Sequence, residues 1–434
     1  MLATVIICVV TCAVMILSVL FFPRIRLGKI SVGTYWIVTL VGAVILLASG
    51  QADIKTVGEA LTANTAINPL KILALFLSMT VLSIFLDELG FFSYLASVVL
   101  RRAHAGQKRL FFLLYAVVSV LTVFTSNDIV VLSFTPFICY FARSAKIDPA
   151  PYLAAEFVAA NTWSILLIIG NPTNVYLATA YGVGFLEYLK VSALPTVFAG
   201  AAALLMLYLM FFKKLNKPIE GQAEEFAVKD KPLLIIGIAH LAVCTLLLAI
   251  SSYIGVEMWI ISVCSAGSLL LCVLVASLIR KTRPTALKGC LKRTPYQLVP
   301  FVLSMFIMIV ALESKGVCAS IAGFFGSKQP ILVYGASSFL SANLINNIPM
   351  SVLFSSIIGN VQSGAAAMQA VFATVIGSNI GAYLIPIGAL AGIMWSSILN
   401  SQGIRFGYLD FLKMGVFVAV PTLFAALAGL YIVL

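Results

Sequence analysis

Long apolar segments, interrupted by short polar ones, occupy most of the chain. Several hold about 20 consecutive apolar residues, which is enough for an α-helix to cross the hydrocarbon core of a bilayer. The pattern predicts an all-α polytopic membrane protein with about 10 to 11 transmembrane helices. No basic region and no small-residue cleavage site accompany the first segment, so we interpret residues 2–22 as a span and not as a removable signal peptide.

The composition agrees with this interpretation. Hydrophobic residues make up 62% of the 434 residues and charged residues only 10%, whereas a soluble domain carries about 25% charged residues. The formal net charge of +12 could indicate nucleic-acid binding, but the basic residues cluster at the ends of apolar segments. That distribution is typical of cytoplasmic loops. We therefore expect the lipid bilayer of the cell (plasma) membrane as a partner, and no nucleic acid.

A single path through the membrane places every basic cluster in the cytoplasm. Two apolar stretches, about 110–142 and about 331–359, then start and end on the same side. Because the first of them is too short for two crossings and a turn, we predict that both are re-entrant helical hairpins with tips near the membrane midplane. The predicted spans are 2–22, 31–50, 71–100, 150–180, 191–212, 232–251, 256–279, 297–318, 368–398 and 412–432.

Four short segments of the first half recur in order in the second half. Each predicted partner lies on the opposite side of the membrane, which is typical of the inverted-topology repeats of secondary transporters. Chance similarity between apolar helices would explain one such match more easily than four. The pairs are LSMTVLSIFLDELG (77–90) with LSMFIMIVALESKG (303–316), SND (126–128) with INN (345–347), NTWSILLIIG (161–170) with NIGAYLIPIG (379–388), and FLEYLK (185–190) with YLDFLK (408–413).

The repeats predict the domain organisation. We expect broken helices at 150–180 and 368–398, one in each repeat and each following a hairpin. The predicted divisions are an N-terminal span (1–30), a first inverted repeat (31–212), a cytoplasmic linker (213–231), an extra span (232–255) and a second inverted repeat (256–434).

Polar residues at the two hairpin tips are the strongest sign of a binding site. A carboxylate in hydrocarbon costs at least ~2.5 kcal/mol, so Asp128 must face a polar cavity or a partner. Hairpin tips also expose helix ends, whose free N–H groups attract anions and whose free C=O groups attract cations. A structural polar cluster is the alternative. The tip candidates are Ser126, Asn127, Asp128, Asn346 and Asn347.

Helix-breaking residues interrupt the two predicted broken helices. Gly170, Pro172, Pro386 and Gly388 fall inside apolar segments, where glycine and proline disrupt a helix. Irregular backbone is tolerated at membrane depth only where it lines a cavity or is buried in protein. A plain proline kink is the alternative for either segment alone. The side chains expected to supply ligand oxygens and amides there are Asn161, Thr162, Asn171, Thr173, Asn174, Ser378 and Asn379.

Other acidic residues are candidates for a proton relay, or for structural carboxylates bonded between helices. They are Asp87, Glu88, Glu156 and Glu313. His104 and His240 are isolated, and the eight cysteines form no CxxC pair, so we expect no metal site. We also expect no cofactor and no enzymatic activity. The ion that drives transport would be H⁺ or Na⁺.

Five motifs resemble those of a known family over nearly the whole chain. They are LDELGFF, SNDIVVLSFTPFI, NLINNIP, GSNIGAYLIPIGALAGIMW and YLDFLKMG. The chain resembles the arsenical pump membrane protein family, which belongs to the ion transporter superfamily together with sodium/proton antiporters and divalent anion/sodium symporters. The resemblance implies a scaffold and a transport domain that move by an elevator mechanism, in an assembly that is often a homodimer.

Two departures from the family pattern leave the substrate open. The first tip reads NDI where the family has Asn-Asp-Gly, and GNPTN (170–174) is closer to the corresponding segment of antiporters and dicarboxylate carriers. We expect proton-coupled efflux of arsenite or antimonite, with Asp128 as the coupling carboxylate. The alternatives are sodium- or proton-coupled transport of citrate or a dicarboxylate, and sodium/proton exchange. The soluble ATPase partner of arsenical pumps cannot be inferred from this chain.

Overall fold

The computed structural model describes residues 1–22, 24–27, 30–64, 68–102, 106–216, 228–361, 363–385, 388–404 and 406–434. Nearly all of this backbone is α-helical, because in lipid a helix satisfies its own N–H and C=O groups. The predicted all-α class is thereby confirmed, with one small addition. Strands β1 (Arg24–Leu27) and β2 (Ile30–Gly33) pair antiparallel directly after the first helix, with Arg24 opposite Gly33.

The first half of the chain begins with a membrane span and ends with a helix of 31 residues. Side chains cap several of its helices: Asn68 Oδ1 accepts hydrogen bonds from Leu70 N and Lys71 N at the start of the fourth helix. The helices are α1 (Leu2–Phe21), α2 (Thr34–Ala48), α3 (Ile54–Thr62), α4 (Pro69–Glu88), α5 (Phe91–Arg102), α6 (Gln107–Phe124), α7 (Asn127–Ser144), α8 (Ala150–Trp163), α9 (Pro172–Ala180) and α10 (Phe185–Leu215).

The second half follows the same order of long and short helices. Its first helix is capped by Asp230, whose Oδ1 accepts a hydrogen bond from Leu233 N. The helices are α11 (Lys231–Ala249), α12 (Ser251–Ile254), α13 (Met258–Ile279), α14 (Thr285–Arg293), α15 (Leu298–Ser314), α16 (Val317–Phe325), α17 (Pro330–Ile345), α18 (Asn347–Val361), α19 (Gly364–Gly381), α20 (Leu390–Ser401) and α21 (Tyr408–Val433).

Eight helical segments of the described chain are long and apolar enough to cross a membrane. Their outer faces carry exposed apolar side chains, as a surface bathed in lipid requires; examples are Val9 on α1 and Ile235 on α11, which are 60% and 67% exposed. Shorter apolar helices, α2 and α17, add to this set. The prediction of a multi-pass membrane protein is therefore confirmed.

Both predicted hairpins are present. Helices α6 and α7 are separated by only Thr125 and Ser126, and α17 and α18 by Asn346 alone. At the second tip the chain reverses direction at Asn346. The φ angle of this residue is +72°, in the left-handed region that asparagine tolerates better than most residues. The two tips therefore consist of the residues that the sequence singled out.

Both broken helices are present as well. Residues 150–180 divide into α8, a short 3₁₀ turn (Ile168–Gly170) and α9. A Cβ atom at Gly170 would lie 2.3 Å from the carbonyl oxygen of Ser164, so only glycine allows the returning chain to pass this close. Residues 368–398 divide into α19 and α20, and Gly388 approaches Asn343 Oδ1 in the same way. Pro386 lies outside the described residues.

Two predicted spans are shorter than expected. The stretch 71–100 is divided at Gly90, with φ +81°, into α4 and α5, and the stretch 297–318 is divided near Gly316, with φ +71°, into α15 and α16. A left-handed glycine ends a helix and lets the chain change direction. Most of the predicted linker, residues 217–227, lies outside the described residues, and the predicted domain boundaries stay a prediction.

Helix contacts in the two halves correspond to each other. Helix α4 packs on α13 and α14, and its counterpart α15 packs on α2 and α3. The second helix of each hairpin packs on the broken helix of the other half: α7 on α20, and α18 on α9. Helices α10 and α21 pack along each other at the centre, where Gly429 lies against the backbone of Pro195. This exchange of contacts is what paired inverted repeats produce.

The predicted orientation can be tested with two exposed positions. The sequence places 280–295 in the cytoplasm and 361–367 outside, and Lys288 and Ser363 are exposed in these loops. In a background without native cysteines, Ser363→Cys should react with a membrane-impermeant maleimide in intact cells, and Lys288→Cys only after permeabilisation. Reaction of both from the same side would contradict the inverted arrangement.

Candidate functional site

The first hairpin tip is tied to the first broken helix. Asn127, at the start of α7, donates from Nδ2 to Asn161 Oδ1 on α8 at 3.1 Å, and both residues are buried. Asn161 in turn donates from Nδ2 to the carbonyl oxygen of Phe157 at 2.8 Å. Two of the predicted site residues, one at the first tip and one on the first broken helix, are therefore in direct contact.

Asn379 on α19 joins the two halves. Its Oδ1 accepts from Ser164 Oγ and from Asn171 Nδ2, both at 2.9 Å, and its Nδ2 donates to Asn174 Oδ1 at 2.8 Å. The side chain is completely buried, and all three partners belong to the break between α8 and α9. One amide therefore connects the second repeat to three points of the first.

The sequence GNPTN organises the first break. Asn171 caps α9, where its Oδ1 accepts from both Thr173 N and Thr173 Oγ1 at 3.1 Å. Asn174 Nδ2 donates to the carbonyl oxygens of Ser164 and Leu167, at 2.7 and 3.2 Å. Both carbonyls lie in the interrupted segment between α8 and α9. Asn171, Thr173 and Asn174 therefore hold the interrupted backbone, so their polar atoms are largely occupied.

The second half uses similar contacts. Asn347 N, at the start of α18, donates to the carbonyl oxygen of Gly388 at 3.1 Å. Asn346 Oδ1 accepts from Ile348 N at 3.4 Å. Asn343 Oδ1 accepts from Ile385 N at 3.3 Å, close to the second break. Sequence reasoning missed Asn343, although its position one helical turn before the tip of NLINNIP could have indicated it.

Thr162 also bridges the halves, since its Oγ1 lies 3.2 Å from the hydroxyl of Tyr383, just after α19. The structure therefore brings eleven of the twelve predicted substrate or ion ligands into the tips and breaks as hydrogen-bonded or buried groups. The twelfth, Asp128, is only half-buried.

Four buried polar atoms of these residues have no hydrogen-bond partner among the described residues. Leaving such an atom without a partner costs about 1–3 kcal/mol, so each of them calls for an explanation. All four lie at a tip or beside Asn379. They are Ser126 Oγ, Asn127 Oδ1, Asn347 Oδ1 and Ser378 Oγ. They comprise two amide oxygens and two hydroxyls.

Asp128 lies in the first turn of α7, where the positive end of the helix dipole favours a carboxylate. The residue is half-buried, and its side chain has no hydrogen bond or ion pair with any described residue. Asp128 is the one titratable group of the two tips.

The four relay candidates lie in three different places. Glu156 is completely buried on α8, where both carboxyl oxygens contact Thr135 Oγ1 on α7, at 2.9 and 3.1 Å. Asp87 and Glu88 form ion pairs with Arg293, at 2.6 and 2.8 Å, at the end of α4. Glu313 is exposed near the end of α15. Only Glu156 belongs to the helices that carry the tips and breaks.

A cavity of about 410 Å³ reaches α9 from the predicted outer side. Lys71 and Glu257 form an ion pair across it, with Lys71 Nζ 2.7 Å from Glu257 Oε2. The hydrogen bond from Lys71, assisted by one from Trp259 Nε1, holds the pKa of the Glu257 carboxyl below its usual range. Sequence reasoning did not identify this cavity, because its lining residues come from distant helices.

Among the described residues, no group of three or more His, Cys, Asp or Glu side chains could hold a metal ion. The site consists of amides, hydroxyls, interrupted backbone and one carboxylate, which has no partner among the described residues. Paired hairpins and broken helices are typical of membrane transporters. The chain belongs to the citrate transporter family, CitMHS, which matches residues 30–377.

The comparisons with individual proteins agree. The chain is 27% identical to the arsenical pump membrane protein of Escherichia coli K12 over 416 residues, covering 92% of this chain and 93% of that one. The resemblance to arsenical pump membrane proteins is therefore confirmed. Its fold is similar to that of the Alcanivorax borkumensis YdaH transporter, with a TM-score of 0.58 at 12% identity over 99% of this chain and 97% of that one.

The fold is also similar to that of Neisseria gonorrhoeae MtrF, described as an antimetabolite efflux pump. The TM-score is 0.53 at 12% identity, and the match covers 99% of this chain and 94% of that one. Both structures are transporters, in agreement with the class that the site defines.

The role of Asn379 as the link between the halves predicts a large loss of stability on truncation. Asn379→Ala would remove the partners of Asn171 Nδ2 and Asn174 Oδ1, two buried groups, at about 1–3 kcal/mol each. We expect a clearly lower melting temperature of the purified protein. Asn360→Ala is the control, since Asn360 is exposed and bonds only within α18. Equal melting temperatures for the two variants would show that Asn379 does not join the halves.

Proposed function

We propose that this protein is a secondary active transporter that exports arsenite or antimonite in exchange for protons, with Asp128 as the coupling carboxylate. The observation that carries the proposal is the set of tip oxygens, next to the Asp128 carboxylate, that have no partner among the described residues. The arsenical pump relatives support the substrate class.

The charge of the site favours this substrate. None of the twelve predicted ligand residues is basic. Arsenite is an uncharged trihydroxide at neutral pH, so amide oxygens and hydroxyls can bind its three O–H groups without a positive charge. A citrate trianion buried among such groups would need cations for compensation.

Transport of citrate or a dicarboxylate is the second candidate, and the family match favours it. In that case Na⁺ bound by the oxygens of Asn127 and Asn347, or a proton bound by Asp128, would supply the missing positive charge. The two candidates therefore differ in whether the coupling cation is needed for substrate binding itself.

We propose that the hairpins and broken helices move together as a transport domain against a scaffold built around α4 and α15. Apolar side chains support this division, because Phe76 on α4 and Val302 on α15 face Tyr176 on α9 and Ile348 on α18. Apolar contacts are non-directional, so such surfaces can slide past each other at little cost. The homodimer implied by the family resemblance would hold the scaffold still during this motion.

In this scheme Asp128 carries the proton. Its carboxyl lies in the first turn of α7, on the moving tip, so movement of the domain would change its surroundings. A carboxyl that is charged on one side and protonated on the other couples the proton gradient to the motion. Asn347, at the other tip, has a similar shape and cannot titrate.

Asp128→Asn preserves shape and removes the titratable group. We expect this variant to bind substrate while transport driven by a pH gradient is lost. The measurement is uptake into liposomes of arsenite, antimonite, citrate, succinate and sodium, each with and without a pH gradient. Asp148→Asn is the matched control, because Asp148 is an exposed carboxylate paired with Lys214 outside the site.

Two results would contradict the proposal. Accumulation against a gradient by Asp128→Asn would place the coupling elsewhere, with Glu156 the next candidate. Uptake of citrate or succinate without any response to arsenite or antimonite would favour the second candidate substrate.

Oxygen and amide ligands also predict that transport needs no thiol, although As(III) binds soft thiolates well. Four cysteines are buried singly on α7, α11, α14 and α16, two on α13 are exposed, and Cys8 and Cys12 lie on α1. A variant with all eight replaced by Ser or Ala should retain arsenite transport. Loss of transport in a variant with normal expression and melting temperature would show that a thiol contributes to the site.

A further inference from the structure

A second polar cavity lies on the predicted cytoplasmic side, outside the candidate site. It has a volume of about 300 Å³ and lies where the start of α11, the end of α13 and the start of α14 meet the end of α4. Its lining contains three basic side chains and three hydroxyl side chains. They are Lys229, Arg280, Arg283, Ser277, Thr282 and Thr285.

Two of the positive charges have no acidic partner. The carboxylates of the lining are already paired, since Arg280 lies 2.6 Å from Asp230 and Arg293 lies 2.8 Å from Glu88. Lys229 Nζ donates to the backbone oxygen of Glu88 at 2.9 Å and has no carboxylate partner among the described residues. Arg283 has no hydrogen bond or ion pair through its side chain with any described residue. The cavity is therefore suited to an anion.

The surface next to the cavity is apolar and faces lipid. In the last two turns of α13, Leu278 and Ile279 are 68% and 77% exposed, and Leu274 and Val275 lie one turn above them. The same helix supplies Ser277 and Arg280 to the lining. A molecule with a phosphate in the cavity could thus place hydrocarbon chains directly on α13.

We propose that this cavity binds the headgroup of an anionic phospholipid of the cytoplasmic leaflet. Guanidinium groups pair well with phosphate oxygens, and this leaflet is rich in anionic lipids. A soluble phosphate compound shares the headgroup chemistry but has no use for the exposed apolar face of α13. Bound lipid would connect α11, α13 and α14, next to the Arg293 ion pairs that hold α14 on α4.

The test compares phosphatidylglycerol with phosphatidylcholine of identical acyl chains, bound to the delipidated protein and measured by native mass spectrometry. We expect the wild type to prefer phosphatidylglycerol. Arg283→Gln should lower the affinity for phosphatidylglycerol about fivefold, which is the effect of one basic residue near an anionic membrane surface. Lys288→Gln is the matched control, because Lys288 is exposed on α14 and does not line the cavity. Binding of phosphatidylcholine should be the same in all three proteins.

Three results would overturn the proposal. The first is equal binding of the two lipids by the wild type. The second is an equal loss of phosphatidylglycerol affinity in the two variants, and the third is displacement of the lipid by inorganic phosphate. The last result would assign the cavity to a soluble anion. The double variant Lys229→Gln/Arg283→Gln provides a second measurement, in which the preference for phosphatidylglycerol should disappear while the melting temperature in phosphatidylcholine stays near that of the wild type.

Discussion

Two helices are interrupted inside the membrane, and the rest of the structure depends on how their exposed backbone is satisfied. In lipid an unpaired C=O or N–H group costs several kcal/mol, and water is not present in the hydrocarbon to take the place of a lost helical bond. Asparagine amides take it instead: Asn174 bonds the carbonyls of Ser164 and Leu167 in the segment after α8, and Asn379 ties that segment to the opposite repeat. Both halves of the chain therefore contribute to the break.

The polar groups of the candidate site fall into two sets, one that holds the backbone and one that we propose binds the ligand. Asn171, Asn174 and Asn379 use nearly all their hydrogen-bonding capacity within the protein. Oxygens of Asn127 and Asn347 remain unpaired at the tips. The first set makes the break rigid, and the second set can exchange partners. A transporter needs both properties in one place, because the ligand must be held in a defined geometry and still be released.

Charge is distributed in a corresponding way. Two of the ion pairs, Arg293 with Asp87 and Lys214 with Asp148, lie at the predicted cytoplasmic ends of helices. The tips carry a single carboxylate, Asp128, on the N-terminal turn of α7. Burying a charge is expensive unless it is compensated, so a site with one titratable group responds strongly to a single proton or cation. The excess of positive charge outside the site remains available to the lipid surface.

The sequence by itself determined the membrane class, the hairpins, the broken helices and the residues at their tips. These features follow from local physics: apolar length sets the spans, and glycine, proline and asparagine mark interruptions. The motif GNPTN, for example, was readable as a break from its own residues.

Only the tertiary structure decided which polar groups form hydrogen bonds or ion pairs within the described part of the protein and which do not. Asp87 and Glu88 looked like relay candidates, yet Arg293, more than 200 positions away in the chain, pairs with both. Asn343 was overlooked because its partner, Ile385 N, comes from the second break. Hydrogen bonding and burial depend on neighbours that are distant in sequence. A local pattern of residues does not predict which atoms those neighbours contact.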